Sequence, residues 1–322
     1  MKAVVFDDRL KVVEREKPRR LPGEVLIRVE RAGICNTDHE IIRGYVPGFS
    51  GILGHEFFGY VEESDDHSLA GKRVTAEINI SCGECEFCRK GLGKHCANRT
   101  VLGIIGKGGA MAEYVAVPRR NVIEIPQSIT GMDAILIEPL AAVLEILEQT
   151  DIGKGDTVLL LGDGKLAQLI ALVLGKTSCS LTAVGKHDYK LALIEKNTGA
   201  RTISLDAFKP SAFDIVIEAS GNPSAFTLGL SCVKPRGIFV LKSTYAGGFN
   251  FNPSPVVVNE ITIIGSRCGR FVEAIRFLER YKPDLGDLIS AEFPIDEALE
   301  AFEYSRRPDS LKVVLRIAQS KE

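Results

Sequence analysis

The pattern of hydrophobic and polar residues changes character near residue 136. Before that point the apolar runs are short and either alternate or are rich in β-branched residues, as in EVLIRVERAG, KRVTAEI and AEYVAVP. Gly, Pro and Asn interrupt these runs, which is typical of short strands joined by turns. We therefore expect a β-rich domain over residues 1–136.

After residue 136, strand-like and helix-like segments alternate. EPLAAVLEILEQT has helical spacing, TVLLLG is a compact apolar strand, and GKLAQLIALVLG is a helix with a dominant apolar face. LTAVG, FDIVIEAS, GIFVL and ITIIG continue the strands, with helices predicted near 188–199 and 223–233. This alternation predicts a doubly wound parallel sheet, covered by helices on both faces, over residues 137–268.

The remaining segment, residues 269–322, has two amphipathic helical stretches and a final strand, KVVLRI, and we expect it to rejoin the first domain. One connection in the α/β domain is unusually short. Only DAFKPSA joins the strands near 202–205 and 213–218, whereas a parallel crossover usually needs about a dozen residues. We predict that this crossover lacks a regular helix.

Composition and charge restrict the classes of function. The chain has 322 residues, 45% of them hydrophobic, which suits two globular domains. Its formal charge of −2 gives no overall attraction for nucleic acid. The sequence has no apolar run of membrane length, and its start, MKAVVFDDRL, lacks the apolar core of a signal peptide. We expect a cytoplasmic protein without a nucleic-acid or membrane partner.

Four closely spaced cysteines form the most specific motif. In a reducing compartment such a cluster is better explained by a metal than by disulfides. Spacings of three, three and eight residues allow four thiolates to close on one tetrahedral ion, so the segment 81–97 is predicted to be a structural zinc lobe. Its ligands are Cys82, Cys85, Cys88 and Cys96.

A second group of metal-ligating residue types stands apart from this lobe. Cys35, the pair His55-Glu56, and Glu138 offer a thiol, an imidazole and carboxylates. These are the ligand types of a zinc ion that keeps one coordination position open. The sequence therefore predicts a catalytic metal site in addition to the structural one.

A glycine-rich turn follows the strand TVLLLG. Gly162 and Gly164 precede a helix, which is the context in which a dinucleotide pyrophosphate approaches a helix N-terminus. At the end of the next strand, where an NAD enzyme carries an acid against the ribose, the chain has Gly185. We interpret this glycine as leaving room for the 2′-phosphate of NADP(H). The basic side chains that could meet it are Lys186, His187 and Lys190.

Together these motifs resemble the zinc-containing medium-chain dehydrogenase/reductase family, which includes alcohol, sorbitol and threonine dehydrogenases. The resemblance runs from the first strand to the last. It implies a GroES-like catalytic domain, a Rossmann NADP-binding domain, two zinc ions per chain and an active site in the cleft between the domains. Glu138-Pro-Leu stands where many alcohol dehydrogenases have a ligating cysteine, so the polyol and sugar dehydrogenases are the most similar members.

The resemblance also implies roles for individual residues. Cys35 and His55 would bind the catalytic zinc, Glu56 and Glu138 compete for the third position, and Asp38 would orient the imidazole. Thr37 would begin a proton relay whose usual terminal histidine is replaced by Glu40, the histidine lying one residue earlier at His39. The remaining cofactor contacts would be Lys165, Leu166, Ala219, Ser220 and Lys312, and the substrate contacts Ile78, Leu102 and Ile104.

The resulting expectation is an NADP(H)-dependent zinc oxidoreductase (EC 1.1.1.-) that interconverts an alcohol and its carbonyl compound. The substrate would be a secondary alcohol, a polyol or a sugar-like molecule, and the enzyme would be a homodimer or homotetramer. Two alternatives remain. The fold could be retained in a zinc-bearing, non-catalytic binding protein, or the enzyme could be an alcohol or aldehyde reductase that uses NAD(H).

Overall fold

A computed structural model describes residues 1–244 and 248–318. The chain forms two compact units: Met1–Glu138 together with the chain from Arg270 onward, and Pro139–Gly269. The first division thus falls at Glu138 rather than at residue 136, and the second falls one residue after the expected position.

Strands and turns make up most of the first segment. Its strands are β1 (Lys2–Phe6), β2 (Leu10–Glu14), β3 (Glu24–Ile34), β4 (Gly51–Ile52), β5 (Glu56–Ser64), β6 (Arg73–Ala76), β7 (Asn79–Ile80), β8 (Thr100–Leu102), β9 (Gly106–Lys107), β10 (Tyr114–Pro118) and β11 (Val122–Glu124). Short helices interrupt them: α1 (Asn36–Ile42), α2 (Glu86–Arg89) and α3 (Gly131–Ala134). The GroES-like part is therefore mostly β, as the sequence predicts, although the pattern gave no indication of α1.

The second unit alternates helices and strands. Its elements are α4 (Ile137–Gln149), β12 (Thr157–Leu161), α5 (Lys165–Leu174), β13 (Ser180–Gly185), α6 (Asp188–Thr198), β14 (Arg201–Ser204), β15 (Phe213–Glu218), α7 (Pro223–Ser231), β16 (Val233–Leu241), α8 (Ser254–Val258) and β17 (Thr262–Gly265). The strands form a parallel sheet with the order β14-β13-β12-β15-β16-β17. Successive strands first extend the sheet from β12 toward β14, and then from β15 in the opposite direction. The carboxyl ends of β12 and β15 therefore mark the switch point at which such sheets bind ligands.

The short connection between β14 and β15 confirms one prediction. Residues 205–212, all of which the structure describes, contain no helix. β14 is an edge strand, and all of its side chains are at least partly exposed. The missing crossover helix explains this exposure, because the connection from β14 to β15 contributes no helix that could pack against β14.

The C-terminal segment completes the sheet of the first unit. It contains α9 (Phe271–Tyr281), β18 (Ile289–Pro294), α10 (Ala298–Tyr304) and β19 (Lys312–Arg316). β19 pairs antiparallel with β3, with Val313 opposite Ile34. This register brings the start of β19 beside the end of β3. Within the described residues, no helix is long and apolar enough to cross a membrane.

Candidate metal centres and dinucleotide site

The Sγ atoms of the four cysteines in the 81–97 lobe all lie within 4.8 Å of one another. The Sγ–Sγ distances are 3.9 Å for Cys82–Cys88, 3.4 Å for Cys85–Cys88, 3.8 Å for Cys85–Cys96 and 3.5 Å for Cys82–Cys96. Thiolates bound to one zinc ion at about 2.3 Å stand about 3.8 Å apart. The thiols are free rather than paired in disulfides, so their spacing fits a metal with all four positions filled.

Backbone hydrogen bonds favour the thiolate form that a metal needs. The N–H groups of Cys88 and Ala97 donate to Cys85 and lower its pKa to about 6. Backbone N–H groups of Glu84 and Cys85 likewise lower the pKa of Cys82. At Cys96, which accepts a hydrogen bond from the Cys82 N–H, burial and the Cys82 side chain outweigh that bond and raise the pKa to about 11. Because zinc binds thiolates, the backbone geometry favours metal binding at Cys82 and Cys85.

A second cluster lies where β3 and β5 pair. Cys35 directly follows β3, and His55 and Glu56 stand at the start of β5, where Gly33 is opposite Glu56. One ligand atom from each of Cys35, His55 and Glu56 lies within 4.8 Å of the others. The antiparallel register therefore brings together residues that are about twenty positions apart in sequence.

Asp38 holds both halves of this cluster in place. It is fully buried, and its Oδ2 accepts a hydrogen bond from the Cys35 backbone N–H at 2.8 Å. Its Oδ1 accepts one from the Gly54 N–H at 3.3 Å and lies 3.6 Å from His55 Nδ1. A carboxylate beside Nδ1 favours the tautomer that leaves Nε2 free for a metal, which agrees with the role that the sequence predicts.

The electrostatics of the cluster suit a cation. Burial opposes the charged imidazole of His55, but Asp38 and then Cys35 attract it and hold its pKa well above its usual value. The buried Nδ1 of His55 has no hydrogen-bond partner in the described part of the chain. A thiol, an imidazole and a carboxylate surrounded by further acids form the donor set of a zinc site, and they fit one here.

Glu56 has a buried partner that the sequence analysis did not find. The ammonium group of Lys312 forms an ion pair with Glu56 Oε2 and lies 3.4 Å from the Ile34 carbonyl oxygen. Both side chains are 1% exposed. Burial works against the ammonium, but Glu56, Cys35 and Glu138 raise the pKa of Lys312. The predicted contact of Lys312 with a cofactor remains a prediction, whereas its ion pair with Glu56 is observed.

Glu138 lies in the first turn of α4 and is 9% exposed. It is near enough to raise the pKa values of His55 and Lys312, but it is not one of the three residues whose ligand atoms converge. The geometry therefore gives Glu56 the closer position, and the charge of Glu56 is already matched by Lys312. The choice of the third zinc ligand stays a prediction.

The predicted proton relay begins next to the cluster. Thr37 Oγ1 lies 3.6 Å from Cys35 Sγ. Glu40 is buried, and its carboxylate accepts a hydrogen bond from Arg43 at 2.7 Å. His39 packs edge-on against Phe302. The position of Thr37 fits the first step of a relay, and the part of Glu40 stays a prediction.

The predicted substrate contacts need a correction. Leu102 is completely buried and Ile78 is 4% exposed. Both therefore pack as core side chains, which does not fit side chains that line an open pocket. Ile104 is partly exposed and remains a candidate.

At the glycine-rich turn the backbone packs closely against residue 219 and leaves open space beside Gly164, as a dinucleotide site needs. Gly162 has φ +127°, and a Cβ there would lie 2.7 Å from the Ala219 carbonyl oxygen, so no side chain fits. Gly164 caps α5, and a Cβ there would meet nothing within 4 Å. Lys165 and Leu166 open α5, and Ser220 follows Ala219 at the switch point. The turn fits a pyrophosphate at the helix N-terminus.

The interpretation of Gly185 as room for a phosphate is wrong, because a neighbouring side chain fills that space. A Cβ on Gly185 would lie 2.4 Å from Asp163 Oδ2. Lys186 is exposed, His187 is partly exposed, and Lys190 is 5% exposed. Burial makes Lys190 a poor contact for a solvent-facing phosphate. The sequence analysis did not single out Asp163. Its position between Gly162 and Gly164 was a possible signal, because a negative charge is unexpected in a turn that is predicted to bind a pyrophosphate.

Comparisons with known proteins agree with this geometry. Residues 21–127 match the family model "Alcohol dehydrogenase GroES-like domain", and residues 167–281 match "Zinc-binding dehydrogenase". An L-threonine 3-dehydrogenase from Bacillus velezensis is 31% identical, with 91% of each chain covered. A sorbitol dehydrogenase from Halalkalibacterium halodurans is 26% identical, with 94% of each chain covered.

Solved structures show the same fold. A zinc-binding dehydrogenase from Sinorhizobium meliloti bound to NADP has a TM-score of 0.89 and 28% identity, with 98% of each chain covered. An Escherichia coli alcohol dehydrogenase complexed with NADH has a TM-score of 0.90 and 26% identity, covering 98% of this chain and 99% of that one. The chain is an oxidoreductase that belongs to the zinc-containing medium-chain dehydrogenase/reductase family.

Proposed function

We propose that the protein transfers hydride between NADP(H) and a small alcohol/carbonyl pair, with a secondary alcohol, polyol or sugar-like molecule as substrate. The observation that carries this proposal is the convergence of Cys35, His55 and Glu56 on one point, with Asp38 behind the imidazole. Relatives named for sorbitol and threonine support a hydroxylated substrate. As in many such enzymes, a homodimer or homotetramer in the cytoplasm is the proposed form.

Zinc held by Cys35, His55 and a carboxylate would supply Lewis-acid polarisation of an alcohol or carbonyl oxygen, and a bound nicotinamide cofactor would supply the hydride chemistry. The chain's own residues do the rest. Asp38 fixes Cys35 and His55, and Lys312 neutralises Glu56. The Thr37 hydroxyl, beside Cys35, is the group that passes the substrate proton outward.

NADP(H) is proposed over NAD(H) because the end of β13 carries the basic side chains of Lys186 and His187. The exposed ammonium of Lys186 suits an additional phosphate. NAD(H) is the competing choice, since a structural relative was solved with NADH.

The test is NADPH and NADH oxidation against a panel of aldehydes, ketones and ketoses, with zinc content measured in parallel. Cys35→Ser should abolish turnover while leaving cofactor affinity unchanged, because Cys35 and the glycine-rich turn belong to different units. Cys179→Ser, at a cysteine of the second unit outside both clusters, is the control. Full activity in Cys35→Ser would refute the assignment. Zinc in the lobe but none at Cys35 and His55 in the wild type would instead support a non-catalytic binding protein.

A further inference from the structure

Asp163 is a buried acid at the centre of the glycine-rich turn, where a bound pyrophosphate would make a facing carboxylate unfavourable. It is 7% exposed and lies between Gly162 and Gly164. Its side chain points to the end of β13 instead. Oδ2 accepts hydrogen bonds from the backbone N–H groups of Lys186 at 2.6 Å and His187 at 2.8 Å.

The same carboxylate also holds the His187 ring. His187 Nδ1 lies 3.1 Å from each oxygen of Asp163. In the doubly protonated ring, Nδ1–H donates to this carboxylate and Nε2–H is left to donate to another partner. The carboxylate charge is thus matched by two N–H donors and an imidazole, which reduces its repulsion of a nearby anion.

Gly185 is part of this arrangement. A Cβ on it would lie 2.4 Å from Asp163 Oδ2 and 2.6 Å from Asp163 Cβ. The strand end that carries an acid in NAD enzymes therefore accepts no side chain while Asp163 is present. An Asp163 side chain also needs a glycine at 185 whichever cofactor binds, so the glycine alone does not indicate NADP(H).

The turn is anchored on its other side by Gln168. Its buried side-chain amide donates to the backbone carbonyl oxygens of Asp163 at 3.1 Å and Lys190 at 2.9 Å. Asp163 already accepts the hydrogen bonds of the backbone N–H groups of residues 186 and 187. An anion bound beside this turn must therefore be held by side chains. The side chains available at the turn are the exposed ammonium of Lys186 and the partly exposed imidazole of His187.

We propose that Asp163 is a positioning residue for cofactor specificity. It fixes the turn 185–187 and holds His187 so that the doubly protonated ring donates from Nε2–H, together with the Lys186 ammonium, to the 2′-phosphate of NADP(H). This inference rests on the proposed function, since it concerns the same cofactor. The residue concerned, Asp163, lies in the glycine-rich turn and not at position 185, the end of β13, where NAD enzymes carry their ribose-binding acid.

The test measures binding of cofactor fragments, which needs no substrate. The zinc-loaded protein is titrated calorimetrically with 2′,5′-ADP and 5′-AMP, which differ only in the 2′-phosphate, and with NADPH and NADH. Loss of a charge-assisted hydrogen bond should make His187→Ala and Asp163→Ala each weaken 2′,5′-ADP by about tenfold. Affinity for 5′-AMP should change by less than about twofold. Lys154→Ala, an exposed lysine of the same unit, is the control and should change neither affinity.

A double-mutant cycle separates positioning from general support of the fold. If Asp163 acts through His187, the double variant should lose no more 2′,5′-ADP affinity than the worse single variant. Asp163→Asn, which keeps one acceptor, should fall between wild type and Asp163→Ala. If Asp163→Ala does not fold, Asp163→Asn and His187→Ala decide the question.

Three results would overturn the inference. These are equal losses for both fragments in Asp163→Ala, additive losses in the cycle, or a wild type that binds 5′-AMP as tightly as 2′,5′-ADP. Each still leaves a nicotinamide-dependent enzyme. Failure of the wild type to bind either fragment or either cofactor would refute the proposed function itself.

Discussion

The buried ion pair between Lys312 and Glu56 gives the sharpest test of the first unit. Replacing Lys312 by Met keeps much of the side-chain length and removes the ammonium. The carboxylate of Glu56 then stays buried, at 1% exposure, without its countercharge. Glu138 and Cys35, which also raise the pKa of Lys312, would lose the same positively charged neighbour.

The expected loss is large because the remaining charge cannot reach water. Breaking a buried pair by removing one partner typically costs about 3–5 kcal/mol of unfolding free energy. For a unit of 150–250 residues, about 2–4 °C per kcal/mol corresponds to a melting temperature lower by about 6–20 °C. Zinc loading should reduce the loss, since a cation beside Glu56 restores part of the missing charge.

Differential scanning calorimetry and urea unfolding, each with zinc-loaded and chelated protein, would measure this loss. Lys72→Met is the matched control, because Lys72 pairs with Glu124 at 3.0 Å but both side chains are about half exposed. Such a pair contributes at most about 1 kcal/mol. In the Lys312→Met background, Glu56→Gln should recover part of the stability by removing the unpaired charge.

Two results would refute this reasoning. One is a loss in Lys312→Met no greater than in Lys72→Met. The other is a Glu56→Gln/Lys312→Met double variant that is no more stable than Lys312→Met alone, because the cost would then come from lost packing rather than from an unpaired carboxylate.

Three further predictions concern the metal sites and the second unit. Zinc analysis of Glu56→Ala and Glu138→Ala should show which carboxylate binds the catalytic ion; full zinc occupancy and activity in both variants would contradict a site of this kind. Cys88→Ser should lower the melting temperature and remove one zinc per chain before it affects the chemical step, and an unchanged melting temperature with lost turnover would reverse that assignment. The Lys234 ammonium, followed by Thr157, lowers the pKa of Asp214, so its carboxylate stabilises the fold above the unfolded-state pKa of about 3.9, and this contribution is lost as the pH falls. Asp214→Asn should therefore be less stable than wild type at pH 7 in urea unfolding, with a difference that shrinks below about pH 4; a difference independent of pH would exclude this explanation.

Elements with a clear period were predictable from the sequence. The helices at Lys165–Leu174 and Phe271–Tyr281 and the strands of the parallel sheet follow directly from their apolar spacing. Helices Asn36–Ile42 and Ser254–Val258 were not predicted. In the first, Asp38 accepts a hydrogen bond from the backbone N–H of the N-cap residue Cys35, and no apolar face marks the helix. In the second, Val257 and Val258 are more than three-quarters exposed. Short helices of this kind have too little periodicity to be recognised.

The metal sites were predictable to a different degree. Thiol and imidazole ligands are recognised by their chemistry. The cysteine lobe was therefore predicted from residue type and spacing, and the second cluster from residue type and the family resemblance. The partner of Glu56 was not, because Lys312 lies 256 positions away and reaches it only through the pairing of β19 with β3. Sequence spacing carries no information about a contact that a sheet register creates between distant segments.

Glycine was the most ambiguous residue type in this chain. At Gly164 the missing side chain leaves open space, as expected for a ligand site. At Gly185 and Gly33 it makes room for another side chain instead. Asp163 fills the space at Gly185, and a Cβ on Gly33 would lie 2.5 Å from the Glu56 carboxylate. Where a glycine makes room for a charged side chain, it indicates that this side chain is fixed in the fold. The fixed side chain then determines which other charged groups can still contact a ligand. We therefore expect the cofactor specificity of this protein to depend on Asp163 and the two residues it holds, Lys186 and His187, and the glycine at position 185 to be a consequence of the Asp163 side chain.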